Sequence, residues 1–101
     1  MGGAYAVECA KMSLDEVVSI LRKDEVECGP AKDPVFGNVT IVCCAGAATL
    51  TMLFDEADEQ IPVTTLSFAP PQGGTHKDRQ RLVNSVLRAL KKGGCAGPCI
   101  T

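Results

Sequence analysis

The run Val39-Thr40-Ile41-Val42-Cys43-Cys44 restricts the fold more than any other segment of the chain. Its side chains are β-branched or apolar at both alternating sets of positions, as expected of a strand inside a sheet. A run this short suits a buried strand better than a buried helix. Ala45-Gly46-Ala47 is small enough to turn the chain or form a bulge, and Thr49-Leu50-Thr51-Met52-Leu53-Phe54 resumes as a second strand. Asp55-Glu56-Ala57-Asp58-Glu59-Gln60 is too charged for a core and reads as the connection to a third strand, Val63 to Ala69. Connections this short favour an antiparallel meander, because parallel crossovers need a dozen or more residues.

Two amphipathic helices flank these strands. Ser13-Leu14-Asp15-Glu16 has the form of a capping box, and Met12 and Val17 stand at the spacing of a hydrophobic staple. Leu14, Val17, Val18 and Leu21 recur at three- and four-residue intervals, which predicts a helix from about Leu14 to about Asp24. Thr75, with Asp78 three residues on, predicts the N-cap of a second helix from about His76 to Lys92. Leu82, Val83, Val86, Leu87 and Leu90 form its apolar face, and Gly93 is the expected left-handed cap residue. Gly29, Pro30, Asp33 and Pro34 predict a loop. Tyr5, Val7 and Cys9 alternate with Ala6, Glu8 and Ala10, a pattern of an edge strand or an extended arm.

The expected fold class is α+β: a two-layer sandwich of a three-stranded antiparallel meander with two helices on one face. The order is α-β-β-β-α, with a short extra N-terminal strand as an option. The 101 residues suit a single domain, with a structured core over 13–92 and a flexible Gly/Cys tail over 93–101. Thr40, Thr49, Thr51 or Thr64 should lie on the exposed sheet face, depending on register. An apolar exposed face would need a partner.

Charge is unevenly placed. Residues 1–75 hold four basic and eleven acidic side chains, net −7, whereas residues 76–101 hold six basic and one acidic, net +5. All six basic residues fall on the second helix. At 100° per residue, Lys77, Arg81, Arg88 and Lys92 share a narrow stripe with Asn84, opposite Leu82, Val86 and Leu90. Such a stripe can follow a phosphate backbone, dock on an acidic surface, or simply be a solvated face that balances the acidic remainder. Asp55, Glu56, Asp58 and Glu59 form the acidic counterpart; they lack the ligand alternation and Gly of a calcium loop.

The helix–sheet–helix order with a basic last helix resembles, in element order alone, double-stranded-RNA-binding domains and the small Alu-domain proteins of the signal recognition particle. Gly29-Pro30-Ala31-Lys32, followed by Phe36, is similar to the Gly-Pro-x-His and later Phe of the former. Lys32 stands in place of the His, and the chain is acidic where those families are basic. The resemblance implies RNA as a partner class.

Six cysteines, Cys9, Cys28, Cys43, Cys44, Cys95 and Cys99, allow 15 disulfide pairings, but no basic-then-apolar leader opens the sequence, so the reading is of reduced thiols. Cys43 and Cys44, adjacent on a strand, should point to opposite faces. Cys95 and Cys99, separated by Ala96-Gly97-Pro98, form the candidate thiol or metal site; a zinc site would also need His76 and Cys28. His76 has no Ser or Cys beside it in a nucleophile elbow. Aromatic residues are only 4% of the chain, too few for extended base stacking.

These observations lead to an expected small, non-catalytic adaptor or interaction subunit without cofactor, docking through its sheet or basic helix on another protein chain or a second copy. RNA binding through the basic helix, and thiol-redox or metal chemistry at Cys95 and Cys99, are the alternatives. No apolar run approaches membrane length, and no lipidation signal is seen, so the expected location is cytoplasmic.

Overall fold

The computed structural model describes residues 5–100, the last three by backbone alone. In chain order the elements are β1 (Tyr5–Cys9), α1 (Leu14–Lys23), β2 (Glu27–Lys32), β3 (Val39–Ala45), β4 (Ala48–Asp55), β5 (Thr64–Phe68), α2 (His76–Lys92) and β6 (Ala96–Ile100). The strands form one sheet in the order β2-β3-β4-β5-β1-β6, with every neighbouring pair antiparallel. The α+β class is as expected, but the sheet has six strands among the described residues, not three. The meander β3-β4-β5 is its centre. The alternating segment Tyr5–Cys9 is a strand, inserted between β5 and β6.

Two predictions about non-strand segments are overturned. The segment expected to be a loop at Gly29 and Pro30 is β2, and residues expected to be a flexible tail include β6. Both are edge strands. Pro30 is tolerated because an edge strand has one side with no ladder to supply. Asp33 N–H donates to Asn38 O at 2.8 Å where the β2–β3 hairpin closes, so alternation makes Lys32/Val39, Pro30/Ile41 and Cys28/Cys43 the pairs without mutual hydrogen bonds. The nitrogen of Pro30 therefore faces outward, where its missing proton costs no ladder bond. β6 is tied to β1 by a disulfide between Cys9 and Cys95, which corrects the expectation of six reduced thiols.

Strands β1 to β5 each have one face covered by helices. Val7 and Cys9, Cys28, Ile41 and Cys43, Leu50 and Met52, and Thr64 and Leu66 alternate inward and are buried. They pack against Val17, Val18 and Leu21 of α1 and Leu82, Val86, Ala89 and Leu90 of α2. Thr64, expected as a candidate for the exposed face, lies inside. Its hydroxyl accepts from Met12 N–H at 3.0 Å and donates to Met12 O at 2.8 Å, which fixes the entry to α1. Thr40, Thr49 and Thr51 lie on the open face as anticipated, by the register that aligns Thr40 with Leu53 and Thr51 with Val42.

Both helix starts carry full capping boxes, Ser13 with Glu16 and Thr75 with Asp78. Both ends close with paired back-bonds of the Schellman type. In α1 these run from Val26 N–H to Leu21 O and from Glu25 N–H to Arg22 O, with Glu25 at φ 64°. In α2 the left-handed residue is Gly94, at φ 96°, and not Gly93. Gly93 has a different role: a Cβ there would lie 2.5 Å from Ile20 Cγ2, so its absence lets the ends of the helices meet.

Candidate functional site

Three surfaces contain the residues singled out by sequence or exposed by the fold. The first is the outward side of α2. Lys77, Arg81, Asn84 and Arg88 do share one face and, with Gln80, line a shallow groove of about 260 Å³. All are exposed. Lys92, the last predicted member of the stripe, turns instead to Asp24 at the end of α1, Nζ to Oδ1 3.1 Å. Arg79 is also engaged, donating from one guanidinium nitrogen to Gly73 O and Gly74 O at 3.0 and 2.8 Å. Lys77, Arg81, Arg88 and Lys91 have no carboxylate partner among the described residues.

The acidic loop after β4 does not meet this stripe in an ion pair among the described residues. Asp55, Glu56, Asp58 and Glu59 are exposed. Asp58 has a local structural role: its Oδ1 accepts from Gln60 N–H and Ile61 N–H at 2.8 and 2.7 Å. Buried Ala57 pins the loop between the charged residues. Asp55 and Glu56 border a depression of about 470 Å³ with Leu14, Asn38, Val39, Leu53 and Phe54.

The remaining surface is the sheet face opposite the helices. Alternation and register bring Thr40 and Val42 of β3, Thr51 and Leu53 of β4 and Ser67 of β5 into one uncharged patch, with Thr40 buried and the other four half-buried. With Ala31 these side chains form the floor of a groove of about 450 Å³. The β2–β3 loop rises at its rim, with Lys32, Asp33, Pro34 and Asn38 as wall. At the tip Val35 and Phe36 are 75% and 80% exposed. This tip is held in shape from within: Asp33 Oδ1 accepts from Val35 N–H at 3.0 Å, Asp33 Oδ2 from Phe36 N–H at 3.3 Å, and Asp33 O from Gly37 N–H at 2.8 Å. An Asx-type turn thus presents two apolar side chains to water.

Sequence reasoning anticipated the open face only as a condition; it passed over Val35 and took Phe36 only as a point of resemblance to another family, not as an exposed apolar residue. The available signal was Pro34-Val35-Phe36-Gly37, two large apolar residues inside an otherwise polar connection.

The cysteines are arranged otherwise than expected. The Cys95 sulfur is bonded to Cys9, so it is not available to pair with Cys99, whose side chain lies outside the described residues. Among the described residues no three His, Cys, Asp or Glu side chains are grouped to hold a metal ion. His76 is exposed at the start of α2. Cys28 and Cys43 are free, buried and directly opposite, while Cys44 faces the other side of the sheet and is half-buried. Burial pushes the Cys43 thiol far above its ordinary value, reinforced by the neighbouring Cys28. Burial also raises Cys28, partly offset by its hydrogen bond with Cys43 and by the charge of Arg22.

No helix among the described residues is long and apolar enough to cross a membrane. Comparison with protein-family models, with curated proteins and with solved structures finds no match to this chain.

Proposed function

We propose that this protein is a non-catalytic interaction domain that receives a partner polypeptide on its open sheet face, anchored by the hairpin tip Val35-Phe36. The observation that carries the proposal is the tip itself. Apolar side chains three-quarters or more exposed are unfavourable in water, and here their backbone is fixed by three hydrogen bonds to one aspartate instead of being free to fold them inward. An ordered apolar tip beside a groove with an uncharged floor is the anatomy of an interface centre: a large aromatic anchor surrounded by small Thr, Val and Ser contacts.

The test compares affinity capture from the native host by the wild type, by Val35→Ser with Phe36→Ser, and by Arg81→Glu with Arg88→Glu. A partner protein retained by the wild type and the arginine variant but lost from the tip variant supports the proposal. Equal retention by all three rejects it.

A second reading, RNA binding, is favoured by the Lys77–Arg88 groove, whose cations have no carboxylate partner among the described residues. Its signature is different: nucleic acid recovered with the wild type, released steeply by salt and absent from the arginine variant.

A further inference from the structure

Two cysteine pairs occupy equivalent positions at opposite ends of the sheet. At one end β6 is the edge strand. Continuing the Glu8–Ala96 pairing by one residue sets Cys9 opposite Cys95, and these two are joined with Cα atoms 4.1 Å apart. At the other end β2 is the edge strand, and Cys28 lies opposite Cys43 on the next strand. Both pairs face the helix layer and are buried.

The backbone geometry at Cys28 and Cys43 suits the same bond. Theirs is one of the pairs without mutual hydrogen bonds, as the Asp33–Asn38 closure requires. In such a pair Cα atoms sit about 4.5 Å apart with side chains close, inside the span a disulfide bridges. The Cys28 carbonyl is accordingly turned out of the ladder, accepting from Arg22 Nε at 3.0 Å. Cys44 cannot compete, because strand alternation sends its side chain through the opposite face.

We propose that Cys28 and Cys43 are a dithiol site that closes to a second cross-strand disulfide by exchange with a small-molecule disulfide of the glutathione type. Cys28 reacts first, being 9% exposed where Cys43 is fully buried, and lying near the Arg22 guanidinium. Its sulfur loses a proton to solvent and attacks one sulfur of the external disulfide. The external S–S bond breaks, and the departing thiolate takes up a proton. Cys43 then loses its proton and attacks the Cys28 sulfur of the mixed disulfide, expelling the second external thiol. Two protein thiols are oxidised to one disulfide while one external disulfide is reduced to two thiols. Because burial holds both protein thiols protonated, the exchange is slow near neutral pH and the dithiol persists under brief exposure. Closure ties β2 to β3 at the base of the hairpin.

The test uses the full chain with Cys9–Cys95 intact, incubated with graded excesses of oxidised glutathione, quenched in acid, denatured, alkylated and mapped by proteolysis and mass spectrometry. The expected result is loss of two alkylatable thiols together with a peptide linking Cys28 to Cys43. Cys44→Ser should close in the same way, and Cys43→Ser should stop at a glutathione adduct on Cys28. Folded wild-type protein whose Cys28 and Cys43 both remain alkylatable at high excess overturns the proposal. So does a stable wild-type adduct on Cys28, or a Cys28–Cys44 link. If Cys43→Ser does not fold, the wild-type and Cys44→Ser maps decide the matter.

Discussion

Thr64 does more than its size suggests. It is fully buried, and its hydroxyl satisfies both the N–H and the C=O of Met12, fifty-two residues earlier in the chain. Thr64→Val keeps the shape and removes both bonds, leaving polar backbone groups without partners at a cost of about 1–3 kcal/mol each when buried. Denaturant unfolding should show a free energy lowered by that order, read as a lower midpoint at unchanged slope. Glu25 gives the opposite opportunity. It closes α1 in a left-handed conformation that non-glycine residues adopt at a cost of roughly 1 kcal/mol, so Glu25→Gly should raise the melting temperature. The buried thiols give a pH signature. Folding raises the pKa of Cys43, so the folded chain keeps a proton that the unfolded chain releases near the ordinary value of 9.0. Stability from this source is complete below pH 9 and falls as pH rises beyond it. Melting followed from pH 7 to 10.5 should decline more steeply for the wild type than for Cys43→Ala, whatever the absolute stability of the variant.

The two helices were legible to within a residue because their information is local: a 3.6-residue apolar period, a Ser or Thr cap and an acidic residue three positions on. The edge strands were not, for a physical reason. Glu27-Cys28-Gly29-Pro30-Ala31-Lys32 and Ala96-Gly97-Pro98-Cys99-Ile100 have almost no intrinsic strand preference, and each is a strand only because a stronger one lies beside it. The same holds for the Cys9–Cys95 bond, whose partners meet only once a six-stranded order is known. The stripe on α2 was legible as a stripe. Its last member, Lys92, was not legible as a partner of Asp24, because that contact depends on how the helices cross. Element by element, two outcomes follow. Reducing Cys9–Cys95, which closes a loop of 86 residues, should lower stability by about 4–5 kcal/mol and accelerate hydrogen exchange in β6 before α2. Reversing Arg81 and Arg88, both exposed, should leave unfolding free energy within about 0.5 kcal/mol of the wild type.

At the scale of the whole molecule, one face of the sheet supplies the core and the other carries no helix. Helix packing buries the inward residues Cys28, Ile41, Cys43, Leu50, Met52, Thr64 and Leu66, leaving Pro30 and Lys32 of β2 exposed, whereas the outward positions Val42, Thr51, Leu53 and Ser67 are uncharged and only half-buried, with Thr40 beside them buried. The outer rim at β2 is poorly suited to extending the sheet. On β2 the outward carbonyl of Cys28 is held by Arg22 and the outward nitrogen of Pro30 carries no proton. A strand brought alongside the β2 rim would find too few groups to bond, and a growing stack of sheets needs both rims. Copies of this protein should therefore resist joining rim to rim into fibrils even at high concentration, leaving light scattering and thioflavin fluorescence flat over days of incubation.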